Sequence, residues 1–342
     1  MAPDKVLITG GAGYIGAHTL VELATSGFEP VVIDNLSRSS MRLIKGAEQI
    51  TGKKFLFEKI DCTDVMQLRA VFEKHPEITS VIHFAAFKSV NESVEKPLIY
   101  YQNNLGSLMA LLLAMQEFSV TKLVFSSSCT VYGQPDVIPV TELTPFKEPE
   151  TPYGASKQMG ERLLQDMVKA WKELQVVALR YFNPIGAHSS GLIGELPLDE
   201  PNNLVPYITQ TAIGKRKQLI VFGDDYKTPD GSCLRDFIHV MDLAAAHVLA
   251  LKSMDNFPQR YEAINVGTGI PCSVLELVSA FMNVTGVNLD FKIGKRRIGD
   301  IEQVYADPDK SRRLLGWEAN RTVEDALRDA WNWEKKLAHD AD

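Results

Sequence analysis

Cysteine is scarce and scattered in this chain. The four cysteines, Cys62, Cys129, Cys233 and Cys272, form no metal-spaced pair and no disulfide framework. Long apolar runs are missing as well: none approaches the roughly 18 residues that a membrane helix needs, which argues against a membrane partner. Met1 leads almost directly into an apolar stretch at Val6, leaving no room for a signal peptide. Positive charge is not in excess. With 36 Lys and Arg against 43 Asp and Glu, the net charge of -7 argues against a general nucleic-acid partner. There is no internal repeat and no low-complexity segment. Together these absences predict a reducing, cytoplasmic setting.

What is present is ordinary for a globular protein: 342 residues, 45% hydrophobic and 23% charged, enough to bury a large core in one or two domains. Lys5–Thr9 reads as a buried parallel strand, followed by Gly10-Gly11-Ala12-Gly13-Tyr14-Ile15-Gly16 and a helical pattern from Ala17 to Ser26. Glycines at 10, 13 and 16 let the chain turn tightly and let a pyrophosphate approach the helix N-terminus. The strand before and the helix after make this a dinucleotide-binding turn. A second strand, Pro30–Ile33, ends in Asp34-Asn35. Asp34 stands where an acid accepts the ribose 2′-hydroxyl and repels a 2′-phosphate, which favours NAD over NADP; the alternative is a helix cap. Arg38 is a counter-signal, since arginine accepts that phosphate.

Strand and helix go on alternating. Lys54–Lys59 reads as a strand with Asp61 at its end, positioned to meet the adenine; Val65–Phe72 as a helix; Ser80–Ala86 as a buried strand and small-residue loop, with Lys88 just beyond; Ile99–Phe118 as a long helix. His83 reads as a packed core histidine rather than a base. Such alternation specifies an α/β fold, a doubly wound parallel (Rossmann) sheet. Lys122–Phe125 is the next strand and ends in Ser126-Ser127-Ser128-Cys129-Thr130. Ligands bind outside the carboxyl ends of such strands, so these hydroxyls belong at the rim of the glycine turn, unless they only cap backbone groups. Then comes Thr151-Pro152-Tyr153-Gly154-Ala155-Ser156-Lys157. On a helix, Tyr153 and Lys157 share one face, which sets an ammonium beside a phenol and favours the phenolate.

Gly10-x-x-Gly13-x-x-Gly16, Asp34, the Ser126–Ser128 strand end and Tyr153-x-x-x-Lys157 together resemble the extended short-chain dehydrogenase/reductase family. Later segments narrow the likeness. His83-Phe84-Ala85-Ala86-Phe87-Lys88, Tyr181-Phe182-Asn183-Pro184, Asn202-Asn203-Leu204, Arg235–Leu243 and Arg296-Arg297-x-Gly299-Asp300 resemble the UDP-glucose (UDP-galactose) 4-epimerase family over essentially the whole chain. The resemblance implies Ser128, Tyr153 and Lys157 as the catalytic set. It implies an NAD pocket of Gly10, Gly13, Tyr14, Ile15, Gly16, Asp34, Asn35, Asp61, Phe84, Lys88, Asn103, Tyr153, Lys157 and Tyr181. It implies a UDP-sugar pocket in which Asn183, Arg235 and Arg297 hold the diphosphate, Asn202, Leu204 and Phe222 line the nucleotide and Asp300 holds the uridine ribose, with Ser128 and Val304 beside the sugar. It also implies a homodimer joined through the helix after Tyr100 and the helix carrying Tyr153.

The expected organisation is a Rossmann domain over residues 1–180 and a smaller α/β UDP-sugar-binding domain over 181–342, with about 235–268 returning to the first. The expected chemistry is C4 epimerisation. Tyr153 takes the proton of the sugar 4-hydroxyl with help from Ser128, the C4 hydride goes to NAD, the 4-keto sugar turns over, and the hydride returns to its other face. Cys129 stands where alanine is usual, Ala86-Phe87 where Gly-Leu is common, and Leu105-Gly106-Ser107-Leu108 alters a further familiar run. The Cys129 thiol is either oxidation-sensitive or packed and inert. A 4,6-dehydratase would need acids after Ser128, where Cys129-Thr130 stand. A decarboxylase has no signature here, and a non-catalytic NAD-binding regulator has no need of Ser128, Tyr153 and Lys157. Val304 is small at the position that limits an N-acetyl group in this family, so N-acetylated UDP-sugars are expected to be accepted.

Overall fold

The computed structural model describes residues 4–297 and 300–340, so Gly299 of the arginine-rich motif lies outside the described residues. The first half runs β1 (Lys5–Thr9), α1 (Tyr14–Thr25), β2 (Glu29–Asp34), α2 (Met41–Thr51), β3 (Leu56–Lys59), α3 (Val65–Lys74), β4 (Ile78–His83), α4 (Val90–Glu95), α5 (Pro97–Glu117), β5 (Lys122–Ser128), α6 (Pro152–Ala170) and β6 (Gln175–Tyr181). The second half runs β7 (Asn183–Ile185), α7 (Leu204–Ala212), β8 (Leu219–Phe222), β9 (Leu234–His239), α8 (Val240–Ser253), β10 (Tyr261–Val266), β11 (Pro271–Ser273), α9 (Val274–Thr285), β12 (Phe291–Gly294), β13 (Gln303–Val304), α10 (Asp309–Leu315) and α11 (Val323–His339).

A seven-stranded parallel sheet in the order β10-β6-β5-β4-β1-β2-β3 forms the centre. Alternate side chains along each strand point to opposite faces, and both faces are covered. On one face Val6, Ile8 and Val32 meet Leu20 and Leu23 of α1, Ile44 of α2 and Leu243 of α8. On the other, Leu7, Val31 and Val81 meet Phe72 of α3, Leu111 of α5 and Leu164 of α6. A smaller sheet joins β11, β9 and β13, with β7 added to β9, and β12 pairs with β8. Helices α7, α9 and α11 close this second core around Ile208, Phe281 and Leu327.

Within 235–268, β9 belongs to the smaller sheet, α8 packs on α1, and β10 adds to the edge of the large sheet beside β6. The chain therefore crosses between the two sheets more than once. Helix α6 ends at Ala170, where the Arg260 guanidinium takes the carbonyls of Val168, Trp171 and Lys172. Helix α2 was not anticipated. Gly46 in its middle lowers helix propensity, yet a Cβ there would stand 2.4 Å from the Leu192 carbonyl oxygen. The C-terminal α11 has 17 residues.

Three histidines, His18, His83 and His247, are buried in this core, and burial lowers their pKa values to about 3, 3 and 4. The folded protein keeps them neutral while the unfolded chain takes up protons below about pH 6.5, so stability falls as pH falls through that value. At pH 5 each histidine contributes a loss of about 2 kcal/mol. Denaturant titrations at pH 7.5 and pH 5 are expected to show a markedly lower midpoint at pH 5; equal midpoints would contradict this account.

Candidate active site

The carboxyl ends of β1, β2, β4, β5 and β6 form one rim. Each candidate group of the first half sits on it or on the helix that follows. The turn after β1 brings Gly10 against the loop after β4: a Cβ on Gly10 would lie 2.8 Å from the Ala85 nitrogen, and one on Gly16 would lie 2.6 Å from the Gly10 oxygen. Gly13 starts α1 without a side-chain cap, so the first N–H groups of that helix remain available to an anion. Asp34 at the end of β2 is buried and accepts from Ala12 N at 3.1 Å, Leu36 N at 2.9 Å and Ser39 Oγ at 2.7 Å. A carboxylate offers about four acceptor positions, which leaves one for a ribose hydroxyl. An uncapped helix start and a fixed acid one strand away fit a dinucleotide. Arg38 does not oppose this, because it is paired with Glu92 and stacked 3.8 Å above the Phe87 ring.

Around that turn, Tyr14 Oη donates to the Gly186 carbonyl at 2.7 Å, and Ile15 is partly buried beside it. Asn35 donates to Asp61 at 3.2 Å, bringing these two together. Phe84 and Tyr181 both pack against the His247 ring, at 4.7 and 5.9 Å. Asn103 donates to the Asn104 side chain at 3.1 Å; Asn104 in turn ties the Phe87 backbone to Ser156 of α6. His83 bonds Thr9 Oγ1 at 2.7 Å and is a core residue.

Thr151 caps α6 and Pro152 occupies its first turn, which sets the helix start and places Tyr153 at the rim. Ser128 ends β5, and its Oγ accepts from Thr130 N at 3.2 Å. Ser128, Tyr153 and Lys157 are all buried. Lys157 Nζ donates to the Ser126 carbonyl at 2.6 Å and lies 5.9 Å from the centre of the Tyr153 ring. The sequence set an ammonium beside the phenol, and the structure adds the burial of both. Burial pushes the Tyr153 phenol well above its usual pKa, and the Ser128 hydroxyl is the group that opposes the rise. Burial also brings Lys157 down to about 8. In the protein by itself the phenol is neutral, because desolvating a phenolate costs more than its neighbours return.

The second-half candidates gather in two places. Arg297 is bonded to Asp300 at 2.6 Å, Arg235 stands 3.7 Å from the same carboxylate, and the Arg297 guanidinium lies 6.0 Å from the Phe222 ring. Val304 is the register partner of Arg235 across β13 and β9, and it packs with Cys129, Phe182 and Val131. Cys129 follows Ser128, so this cluster adjoins the catalytic rim. In the other place, Lys88 pairs with Glu195 at 2.8 Å, Asn203 donates to the same carboxylate at 2.6 Å, Asn202 accepts from Ser89 at 3.0 Å, and Leu204 begins α7. Asn183 opens β7, and its Oδ1 is buried without a hydrogen-bond partner among the described residues, an acceptor free for a ligand donor.

Sequence reasoning passed over one buried ion pair: Glu161 and Arg180, bonded at 2.6 and 2.9 Å. The signal was available. Glu161 repeats the four-residue step from Tyr153 to Lys157, and Arg180 is a charge inside an apolar strand.

The chain matches the NAD dependent epimerase/dehydratase family over residues 6–267 and belongs to it. Its relatives include a UDP-glucose 4-epimerase of Dictyostelium discoideum, 50% identical over 331 residues that make up 97% of this chain and 96% of that protein. A solved UDP-glucose 4-epimerase of Stenotrophomonas maltophila, with bound NAD and formylated UDP-arabinopyranose, is 46% identical, covers 98% of this chain and 99% of its own, and superimposes with a TM-score of 0.94. That of Bifidobacterium longum, in complex with NAD+ and UDP, is 44% identical over 98% of this chain and 99% of its own, with a TM-score of 0.95.

Burial of Cys129 favours the packed reading. Its thiol is buried, and burial pushes it up to about 12, so almost no thiolate exists near neutral pH. Iodoacetamide at pH 8 is expected to leave Cys129 unmodified in the folded protein and to modify it in denaturant, as read by peptide mass spectrometry. Rapid labelling of the folded protein would contradict the packed arrangement.

Proposed function

We propose that the chain interconverts UDP-glucose and UDP-galactose by epimerisation at C4, with NAD held on the rim of the large sheet. The observation that carries this reading is the meeting of Ser128, Tyr153 and Lys157 at a rim that also has an uncapped helix start and a buried acid. Gly10, Gly13 and Gly16 give the pyrophosphate its approach to α1, Asp34 takes the adenosine ribose, and Lys157 and Tyr181 border the nicotinamide half. NAD, when bound, supplies the hydride acceptor for C4 and returns that hydride to the 4-keto sugar.

The chain's own residues do the rest. Lys157 and the positive nicotinamide ring together offset the burial that keeps Tyr153 neutral, so the phenol can release its proton near neutral pH. Tyr153 then holds the proton of the sugar 4-hydroxyl at Oη, and Ser128 Oγ orients that hydroxyl. Arg235, Arg297 and Asn183 anchor the diphosphate, and Asp300 takes the uridine ribose, leaving the sugar free to turn between two poses. Asp300 lies against both arginines and holds their guanidinium groups in one cluster.

The same reading extends to substrate range, assembly and setting. Val304 puts a small side chain beside Cys129, at the position that by the family resemblance limits an N-acetyl group at C2, so N-acetylated UDP-sugars are substrates too. The protein is a homodimer joined through α5 and α6, where Leu98, Ile99, Met109 and Leu113 of α5 and Met159 of α6 are exposed apolar side chains. Four unpaired cysteines suit a cytoplasmic setting.

The purified protein, given UDP-galactose and no stoichiometric oxidant, is expected to form UDP-glucose. Tyr153→Phe is expected to lower kcat by about 10²–10⁴-fold with the fold intact. Turnover of UDP-N-acetylgalactosamine is expected in the unaltered protein and is lost selectively in Val304→Tyr. Absence of any product, even with NAD added, would overturn the epimerase reading; equal N-acetyl activity in Val304→Tyr would overturn the role of that residue. Light scattering after gel filtration is expected to give twice the chain mass, and Leu113→Glu is expected to shift the protein to monomer. A monomeric unaltered protein would contradict the dimer.

A further inference from the structure

Glu161 lies one helical turn beyond Lys157 on α6 and is completely buried. Its carboxylate draws donors from three strands. Ser127 Oγ of β5 donates at 2.5 Å, the Arg180 guanidinium of β6 at 2.6 and 2.9 Å, and the Tyr261 hydroxyl of β10 at 2.8 Å. Ser127 is the residue before Ser128. From Arg180 the network continues to the Tyr132 hydroxyl at 3.0 Å and from there to Asn265 Oδ1 at 2.6 Å. Asn265 Nδ2 donates to the Val140 carbonyl at 2.9 Å, and Val140 bridges to Ala306 just after β13.

Groups from four elements surround Lys157 among the described residues. From β5 come the Ser126 carbonyl at 2.6 Å and the Phe125 ring at 5.0 Å. From β4 comes His83, which burial keeps neutral. From β6 comes Tyr181, bonded to the Ser126 side chain. From α6 come Tyr153 and Glu161. Arg180 and Tyr261 meet this group through Glu161. Among the described residues no carboxylate makes a salt bridge to Lys157; the buried cluster holds two cations, Lys157 and Arg180, and the one anion between them is Glu161.

We propose that Glu161 is a positioning residue of the epimerisation: its charge keeps the buried Lys157 ammonium protonated, and its bond to Ser127 fixes the Ser128 end of β5 against α6. An ammonium that has lost its water and meets only a carbonyl gives up its proton readily. Burial lowers the Lys157 pKa and Glu161 is the group that works against it. The inference rests on the reading of Lys157 as the group that serves Tyr153.

A purely structural pair and a pair that sets the charge of Lys157 predict different titrations. The test is carbon-13 NMR of the NAD-saturated protein with lysine labelled at Cε, the Lys157 signal being assigned by its loss in Lys157→Met. Glu161→Gln is expected to lower the Lys157 midpoint by about one pH unit. Arg180→Met leaves Glu161 uncompensated and is expected to raise it. The double variant Glu161→Gln with Arg180→Met removes the pair without leaving a buried unpaired charge, so it folds even where a single variant fails. Its midpoint is expected below that of the unaltered protein, because Glu161, one helical turn from Lys157, is the charge that opposes the effect of burial on it. The alkaline limb of kcat is expected to move with the midpoint. A single unchanged midpoint in all variants that fold would overturn the inference. Absence of UDP-galactose turnover in the unaltered protein would overturn the proposed function instead, so the two failures are distinguishable.

Discussion

The bond from Lys157 to the Ser126 carbonyl carries much of this structure. It joins the helix that bears the phenol to the strand that ends in the serine, across 2.6 Å, and it does so with a buried ammonium. Burying a charge costs several kcal/mol unless other groups share it. Here the carbonyl, the Phe125 ring and the Glu161 carboxylate share it. The same burial that strains Lys157 also suppresses the Tyr153 phenolate. Burial thus favours the neutral phenol, and in the proposed reaction the positive nicotinamide ring would offset that burial.

The rest of the fold supplies what that bond needs. A parallel sheet sends the ends of β1, β2, β4, β5 and β6 to a single rim, so groups far apart in sequence meet without long loops. β10 returns to the sheet edge beside β6, and its Tyr261 reaches the network under α6. β9 and β13 lie in the smaller sheet and carry Arg235 and Val304 as register partners. Asp236, next to Arg235, is buried and accepts from Thr268, Gly269 and Ala306, which locks the junction of the two sheets. In the proposed reading, the anchoring groups therefore sit on one framework and the chemical groups on the other, a division suited to a substrate held at one end and turning at the other.

The first half was legible because its signals are local. A glycine turn between a strand and a helix, an acid at the next strand end, and a Tyr-Lys pair behind a Thr-Pro helix start each have a meaning within ten residues. The second half is different. Arg235, Arg297, Asp300 and Val304 meet only because β13 pairs with β9, and no periodicity announces a two-residue strand. There the family resemblance, and not the pattern, led to Asp300 and Val304. The missed α2 shows the opposite conflict, where a glycine kept for close packing against Leu192 weakens the local helix signal. The burial of Tyr153 was not legible for a third reason. Sequence shows the ammonium beside the phenol but not the depth at which both are buried.

The central claim is that the hydrogen at C4 leaves and returns within one closed site, with Tyr153 handling only the hydroxyl proton. UDP-galactose carrying deuterium at C4 tests it most directly, with the protein in ordinary water and the UDP-glucose product examined by mass spectrometry. The account predicts that the product keeps its deuterium at C4. Replacement of that deuterium by solvent hydrogen would mean that the carbon is deprotonated and reprotonated through water, and would contradict the account.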